Sequence, residues 1–185
     1  ASLKKKAQKL VTVAIVAGAD SEPEALQATL ASIAAQTYTR FEIVVAGDGP
    51  PQTATDHRWI GHTPDIWQAI AREARGDVVT VLDAGDSLLP WALAYIGAAF
   101  ETAEKPEFVY GDEDSLLSEK RTRPRFKPGW SPYFLAQSNY IGKPWSVARP
   151  VLLGVANNDI ITEHDLLKAI GGKTKAVAHI PNVLC

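Results

Sequence analysis

A short run of apolar, mostly β-branched residues, Val11–Ala17, constrains the fold more than any other feature of the chain. The run is too short for a helix, and its near-continuous apolarity is typical of a central strand covered on both faces. A second run, residues 41–46, follows a segment in which Leu26, Leu30 and Ile33 recur at helical spacing. The pattern therefore predicts a β-α-β unit at the start of the chain.

The same alternation continues farther along the chain. It predicts a helix from Thr63 to Gly76, a strand at 78–82, a helix from Pro90 and a short strand at 108–110. The regular alternation ends at the basic, proline-interrupted residues 120–132. The expected class is α/β, with a mostly parallel central sheet, helices on both faces and a ligand crevice at the carboxyl ends of the strands.

The start of the first helix carries a capping signal. Ser21 and Glu24 have the spacing of a capping box, in which a hydroxyl and a carboxylate satisfy two unpaired backbone amides. We therefore expect a capping box at these two residues.

Composition limits the classes of partner. The 185 residues are 46% hydrophobic and 22% charged, which suffices for one full-sized core. A net charge of −2 and a pI near 6.1 give no reason to expect nucleic acid as a partner. The single cysteine, Cys185, permits no intrachain disulfide and favours a reducing compartment, so we expect a cytoplasmic protein.

The domain organisation follows from the same patterns. Residues 1–10 are expected to form a flexible basic tail, and residues 11–185 a single domain. The chain contains no methionine and stops within the apolar residues 180–184, which suggests a piece that is incomplete at its carboxyl terminus.

Three common kinds of site find no support in the sequence. The Gly171-Gly172-Lys173-Thr174 segment lacks the first glycine of a phosphate loop, and no G-x-G-x-x-G follows the first strand. The four histidines lack the spacing of zinc ligands, among themselves and with Cys185.

Two carboxylates follow the strand at 78–82. Asp83 and Asp86 lie in the loop that would open toward the crevice, and hard cations such as Mg²⁺ or Mn²⁺ use such oxygen ligands to bind a diphosphate. The alternative is that Asp86 and Ser87 cap the helix that begins near Pro90 and that Asp83 is only a solvated loop residue.

Several segments together resemble family 2 glycosyltransferases. They are residues 11–16 (VTVAIV), 30–38 (LASIAAQTY), 41–45 (FEIVV), 48–49 (DG), 74–77 (ARGD), 82–86 (LDAGD) and 89–93 (LPWAL). Residues 109–114 (VYGDED), 126–132 (FKPGWSP) and 139–142 (NYIG) resemble the bacterial branch that builds O-antigen and other rhamnose-containing polysaccharides. The resemblance implies an A-type glycosyltransferase fold, with a nucleotide-sugar-binding half at 11–115 and an acceptor half at 116–185.

The resemblance also implies a donor site. Val16 matches the position whose backbone meets the base, Asp48 the acid that hydrogen-bonds the base, and Gln68 a position where the family usually has Asn. Asp83 would bind the donor or its metal, with Asp86 as a second ligand. The family's LDxDD motif has a central acid where this chain has Gly85, which puts dependence on Mn²⁺ or Mg²⁺ in question.

The acceptor half resembles the family's (E/Q)-D-(Y/W)-D-L-x-L-R segment at residues 162–169 (TEHDLLKA), with Ala169 at the place of the family's Arg. Glu163 matches the catalytic base, which would take the proton from the attacking hydroxyl, and Asp165 is the reserve. The alternative is a helix amino terminus that carries acids to suit its dipole.

Two further groups were weighed for the acceptor side. The first group is a pair of aromatic residues that could stack on a sugar or be pinned under a loop: Trp130 and Tyr133. The second group is a set of cations that could bind a lipid-linked diphosphate or form a solvated basic loop: Arg121, Arg123, Arg125 and Lys127.

The predicted activity is transfer of a sugar, with inversion, from a nucleotide diphosphate donor to a saccharide or lipid-linked acceptor in cell-surface polysaccharide synthesis. Peripheral contact with the inner face of the membrane is left open, as is the oligomeric state. The strongest alternative is a catalytically impaired domain of the same fold that binds nucleotide or saccharide within an assembly. A nucleotidyltransferase is disfavoured because residues 16–20 are not a Gly- and Lys-rich phosphate loop.

Overall fold

The computed structural model describes residues 8–47, 57–117, 120–157 and 160–185. Its first part contains β1 (Val11–Ala17), α1 (Pro23–Ala34), β2 (Phe41–Gly47), β3 (His57–Ile60), α2 (Ile66–Glu73), β4 (Val78–Asp83) and α3 (Ala92–Ala99). Its second part contains β5 (Phe108–Leu117), β6 (Lys120–Arg125), α4 (Pro132–Gln137), β7 (Trp145–Ala148), α5 (Arg149–Val155), α6 (Glu163–Lys173) and β8 (Val177–Val183). The predicted α/β alternation is confirmed.

The strands form one sheet in the order β3-β2-β1-β4-β7-β5-β6, and β8 pairs with β5. Strands β1 to β4 are parallel, whereas β7 runs antiparallel to both of its neighbours, β4 and β5. The sheet is mixed, but six of the eight described strands, β1 to β5 and β8, point in the same direction, so the expected mostly parallel sheet is confirmed. Because β7 is inverted, its first residue, Trp145, pairs with Val81 near the end of β4 and with Tyr110 in β5.

Helices cover both faces of this sheet. On one face Val11, Val13 and Ile15 pack with the buried residues of α1 and α3, and on the other Ala14 packs with α2, α5 and α6. Neither side of β1 therefore meets solvent, as its continuous apolarity predicts. The packing of helices on both faces therefore fixes the position of the strand ends, which carry the polar side chains.

The structure corrects three local predictions. The N-cap of α1 is Glu22, which makes no side-chain capping bond, so the expected capping box of Ser21 and Glu24 is wrong. Residues 120–125 form strand β6, which tolerates Pro124 because β6 lies at the end of the sheet order and needs no second ladder. Strand β5 extends to Leu117, so it runs through the predicted boundary between the two halves at 115/116.

Candidate active site

The parallel strands end in a row of backbone groups at one edge of the sheet. Val16 of β1 is in register with Asp83 of β4, and the Val16 carbonyl accepts a hydrogen bond from the Ala84 amide at 2.9 Å. Two of the predicted donor-binding residues are therefore neighbours. The register of β1 with β2 continues to the pair Ala17 and Gly47, and the predicted base-binding residue Asp48 comes next but lies outside the described residues.

The turn after β4 holds the two predicted metal ligands. Asp86 Oδ2 accepts a hydrogen bond from the Asp83 amide at 2.7 Å, and Asp83 O accepts one from the Asp86 amide at 3.0 Å. Gly85 has φ +107°, a conformation that side chains rarely adopt, and its amide donates to Thr29 Oγ1. Asp86 thus stabilises this turn, and the helix that follows has Trp91 as its N-cap, so the alternative of a helix cap at Asp86 and Ser87 is wrong.

The electrostatics of the two carboxylates differ in degree. Burial raises the pKa of Asp86 to about 6, although the hydrogen bond from the Asp83 amide acts to lower it. Burial also raises the pKa of Asp83, and the Lys143 ammonium opposes that rise. The side chain of Asp83 is nevertheless 57% exposed, so it is the more exposed carboxylate of the pair.

Lys143 joins Asp83 to the predicted base. Its Nζ lies 3.3 Å from Asp83 Oδ1 and donates to Glu163 Oε1. The lysine side chain is only 9% exposed, and its ammonium lies 5.9 Å from the centre of the Trp145 ring. This ion-paired group, Asp83–Lys143–Glu163, is the central cluster of the site.

Glu163 is the first residue of α6, which Leu166, Leu167 and Ile170 anchor in the core. Its Oε1 also accepts a hydrogen bond from Trp145 Nε1 at 2.5 Å. Both contacts therefore converge on one oxygen, and among the described residues none donates to Oε2. The side chain remains 26% exposed, so an incoming hydroxyl can approach the second oxygen.

The reserve base, Asp165, has a different environment. It forms a capping box with Thr162 and an ion pair with Lys168 at 2.9 Å. Hydrogen bonds from Thr162 and Lys168 lower the pKa of Asp165 to about 2. The structure thus gives Asp165 a role at the start of α6 and no contact with the central cluster.

A second group of charged side chains contacts the backbone of Lys143. Glu113 Oε2 accepts from the Lys143 amide at 2.7 Å and lies 3.0 Å from Lys127 Nζ, while its Oε1 pairs with Arg125. Lys127 Nζ in turn donates to the Lys143 carbonyl at 2.9 Å. Gly142 has φ +54°, and a Cβ there would fall 2.3 Å from Glu113 Oε2, so this close approach requires glycine.

The neighbouring buried acid completes this support. Asp112 Oδ1 accepts from the Lys127 amide at 2.9 Å and pairs with His179 Nε2 at 2.7 Å. The His179 ring stacks on Tyr110, with ring centres 4.8 Å apart. These contacts tie β8 and β5 to the segment that carries Lys127.

The remaining predicted residues lie elsewhere. Gln68 is a half-buried residue of α2, and the structure shows no hydrogen bond between it and the described residues of the central cluster. Trp130 packs edge-on against Phe108 at 5.9 Å, as an aromatic held under a loop, whereas Tyr133 is 87% exposed. Of the basic residues, Arg121 pairs with Asp114, and Arg125 and Lys127 pair with Glu113. Each of these three cations therefore already has a carboxylate partner.

The described residues do not by themselves form a complete site for a divalent metal. Among residues 8–47, 57–117, 120–157 and 160–185, no three His, Cys, Asp or Glu side chains come together as a metal site. One oxygen of Asp86 is bound to the turn, and the Lys143 ammonium lies against Asp83. We therefore assign no chemical step to a metal ion.

A cavity of about 270 Å³ opens beside the central cluster and is lined by Asp86, Glu113, Asp114, Gly142, Lys143 and Cys185. A second cavity, of about 230 Å³, shares Asp86, Asp114 and Cys185 with it and extends toward Arg121. Polar ligands can therefore reach the edge of the sheet next to Lys143.

Sequence reasoning missed three residues of this site, Glu113, Lys143 and Trp145, and considered Lys127 only for contact with an acceptor. Glu113 and Lys127 lie within segments that carry the family resemblance, and Lys143 follows such a segment directly. A lysine between Ile141-Gly142 and Pro144-Trp145 is an unusual charge in an apolar setting, and this was the one available signal.

Comparisons with solved structures bear on the fold. S. aureus TarS, residues 1–349 in complex with UDP, superposes with a TM-score of 0.69 at 11% identity, over 94% of this chain and 59% of that one. The mannosyltransferase PcManGT from Pyrobaculum calidifontis, in complex with GDP-Man and Mn²⁺, superposes with a TM-score of 0.64 at 13% identity, over 97% of this chain and 57% of that one. The fold is that of the A-type glycosyltransferases.

At the level of sequence, no family model matches the chain. A segment of 115 residues, 60% of the chain, is 36% identical to the O-antigen biosynthesis protein RfbC of Myxococcus xanthus. The match spans only 9% of the length of that relative. Among the described residues, none of the helices has the length and apolarity to cross a membrane.

Proposed function

We propose that this chain carries the donor site and the catalytic base of an inverting glycosyltransferase of the family 2 type, which acts in cell-surface polysaccharide synthesis. The observation that carries the proposal is the central cluster, in which an acid at the end of β4 and an acid at the start of α6 meet through Lys143. A donor bound along the strand ends would lie beside this cluster, within reach of both acids. The resemblance to an O-antigen biosynthesis protein supports the saccharide or lipid-linked acceptor.

The proposed reaction is a direct displacement. The acceptor hydroxyl attacks the anomeric carbon, its proton passes to Glu163 Oε2, and the bond to the nucleoside diphosphate breaks. The two contacts on Oε1, from Trp145 and Lys143, orient the carboxylate so that Oε2 faces the hydroxyl. Val16 and Asp48 would hold the base of the donor, and Asp83 the sugar or the diphosphate.

Calorimetric titration tests the donor site. UDP, GDP, dTDP and ADP are titrated into the wild-type chain and into Asp48→Ala and Asp83→Ala, each with and without Mn²⁺. We expect one nucleotide to bind selectively and both variants to weaken it. Glu104→Ala is the control, because Glu104 is exposed in the loop that precedes β5, at the other edge of the sheet. Absence of binding for all four nucleotides would contradict the proposal.

The second candidate is a binding domain without catalysis. It is favoured by Gly85 and by the use of one Asp86 oxygen in the turn. Release of nucleoside diphosphate from UDP-N-acetylglucosamine, GDP-mannose or dTDP-rhamnose, with p-nitrophenyl glycosides as acceptor probes, separates the two candidates. Binding without release under every combination would support the second.

A further inference from the structure

The Lys143 ammonium is held in one place from several sides. The backbone of Lys143 is fixed by two contacts, from its amide to Glu113 and from Lys127 Nζ to its carbonyl. Its side chain is nearly buried, and its head group contacts Asp83 and Glu163. A cation with so little freedom loses little entropy when it binds a ligand.

The ammonium has one proton available for a ligand. A lysine head group carries three N–H donors, and the contacts with Asp83 and Glu163 use two. Lys143 also lines the cavity of about 270 Å³ beside the central cluster. The third donor can therefore meet a phosphate oxygen at the strand ends.

The charge balance of the site requires a cation at this point. Two carboxylates, Asp83 and Glu163, contact the Lys143 ammonium, and a diphosphate would add further negative charge. At the position where the resembled family has an acidic metal ligand, the chain has Gly85, whose φ of +107° disfavours a side chain. The described residues thus place a fixed lysine against the more exposed carboxylate of this turn, while one oxygen of Asp86 is bound to the turn itself.

We propose that Lys143 is the cation that meets the donor diphosphate, so that donor binding and transfer proceed without a divalent metal. The inference rests on the proposed glycosyltransferase function. When the bond between the sugar and the diphosphate breaks, its electron pair passes to the leaving oxygen, and Lys143 stabilises that charge by an N–H bond to the phosphate. The acceptor proton passes to Glu163, so the step balances without another reactant.

The test compares a nucleoside diphosphate with its nucleoside. The pair is chosen by the titration described above, for example UDP and uridine, and both are titrated in EDTA and then with Mn²⁺. We expect the wild type to bind the diphosphate in EDTA, with a change of less than about threefold on adding Mn²⁺. Lys143→Met should weaken the diphosphate at least about tenfold and leave the nucleoside unchanged, because a hydrogen bond to a charged group is typically worth that much.

Two further variants make the result specific. Lys173→Met removes the same charge from the far end of α6 and should bind both ligands as the wild type does. Lys143→Arg keeps the charge with a larger head group and should bind the diphosphate with intermediate affinity. Thermal unfolding checks that each variant folds. If Lys143→Met does not fold, the comparison of wild-type binding in EDTA and in Mn²⁺ still tests whether a metal is needed.

The outcomes separate the inference from the function. Diphosphate binding that requires Mn²⁺, or that is unchanged in Lys143→Met, would overturn the inference and leave the donor site intact. If neither the diphosphate nor the nucleoside binds the wild type, the proposed function fails and the inference with it.

Discussion

The Asp83 carboxylate and the Lys143 ammonium lie 3.3 Å apart at one edge of the sheet. Asp83 ends β4, and Lys143 stands just before β7, which runs antiparallel to β4. The inversion of β7 is what brings the start of one strand to the end of the other. The same edge receives Glu163 from α6, so the cluster depends on three elements that are distant in sequence.

The hydrogen bond from Trp145 to Glu163 should matter for the rate of transfer. Trp145→Phe keeps an aromatic ring in the core but removes the indole N–H, so Glu163 would lose one of two groups that orient it. We expect kcat to fall about tenfold or more, with nucleotide affinity little changed. The measurement is the rate of nucleoside diphosphate release.

Trp67→Phe is the matched control for that variant. Trp67 is buried in the same part of the hydrophobic core as Trp145, and the two ring centres lie 6.1 Å apart. Both variants should lose about 1–2 kcal/mol of unfolding free energy, because each removes similar buried volume. An equal fall in kcat for the two variants would mean that packing, and not the N–H, sets the rate.

Asp86 should give stability a characteristic pH dependence. Its pKa is about 6 in the folded protein, against 3.8 for an ordinary aspartate such as that of the unfolded chain. The folded state therefore binds more protons than the unfolded state between these two pH values. The contribution of this carboxyl to stability is therefore present below pH 4 and is lost as the pH rises through 6. Asp86→Asn keeps an oxygen for the Asp83 amide but cannot ionise. Urea unfolding should show the variant gaining stability relative to the wild type between pH 4 and pH 7.5, and a constant difference would contradict the raised pKa.

The capping box at the start of α6 should stabilise the helix that carries Glu163. Thr162→Ala removes the acceptor for the Asp165 amide and should cost about 1 kcal/mol of unfolding free energy at neutral pH. Because the pKa of Asp165 is lowered to about 2, its share of this stability is present above pH 4 and fades as the pH falls through 2. The variant should therefore differ less from the wild type at pH 2 than at pH 7; a difference that does not shrink would exclude this role of Asp165.

Local patterns predicted the elements that form the parallel part of the sheet. The apolar run Val11–Ala17 is β1, and residues 41–46 and 78–82 lie within β2 and β4, because a strand buried on both faces needs continuous apolar residues. The neighbouring ends of β1 and β4, with Val16 beside Asp83, follow from this alternation.

The cationic part of the site could not be predicted in this way. The contact of Lys143 with Asp83 and Glu163 depends on β7 entering the sheet antiparallel between β4 and β5, and no local periodicity encodes that choice. β6 was missed because Pro124 and the charges of residues 120–125 resemble a loop, although an edge strand tolerates both. Glu113 had no visible role because its partners come from two other segments, residues 125–127 and Lys143.

The central claim is that Glu163 takes the proton of the acceptor, and Glu163→Gln tests it most directly. Gln keeps the size of the side chain and an oxygen for Trp145 but is a far weaker proton acceptor. The measurement is sugar transfer by wild type and variant, alongside calorimetric titration of the donor nucleotide. We predict a fall in transfer of about 100-fold or more with nucleotide affinity within a few fold of the wild type. Transfer at the wild-type rate in Glu163→Gln would contradict the account.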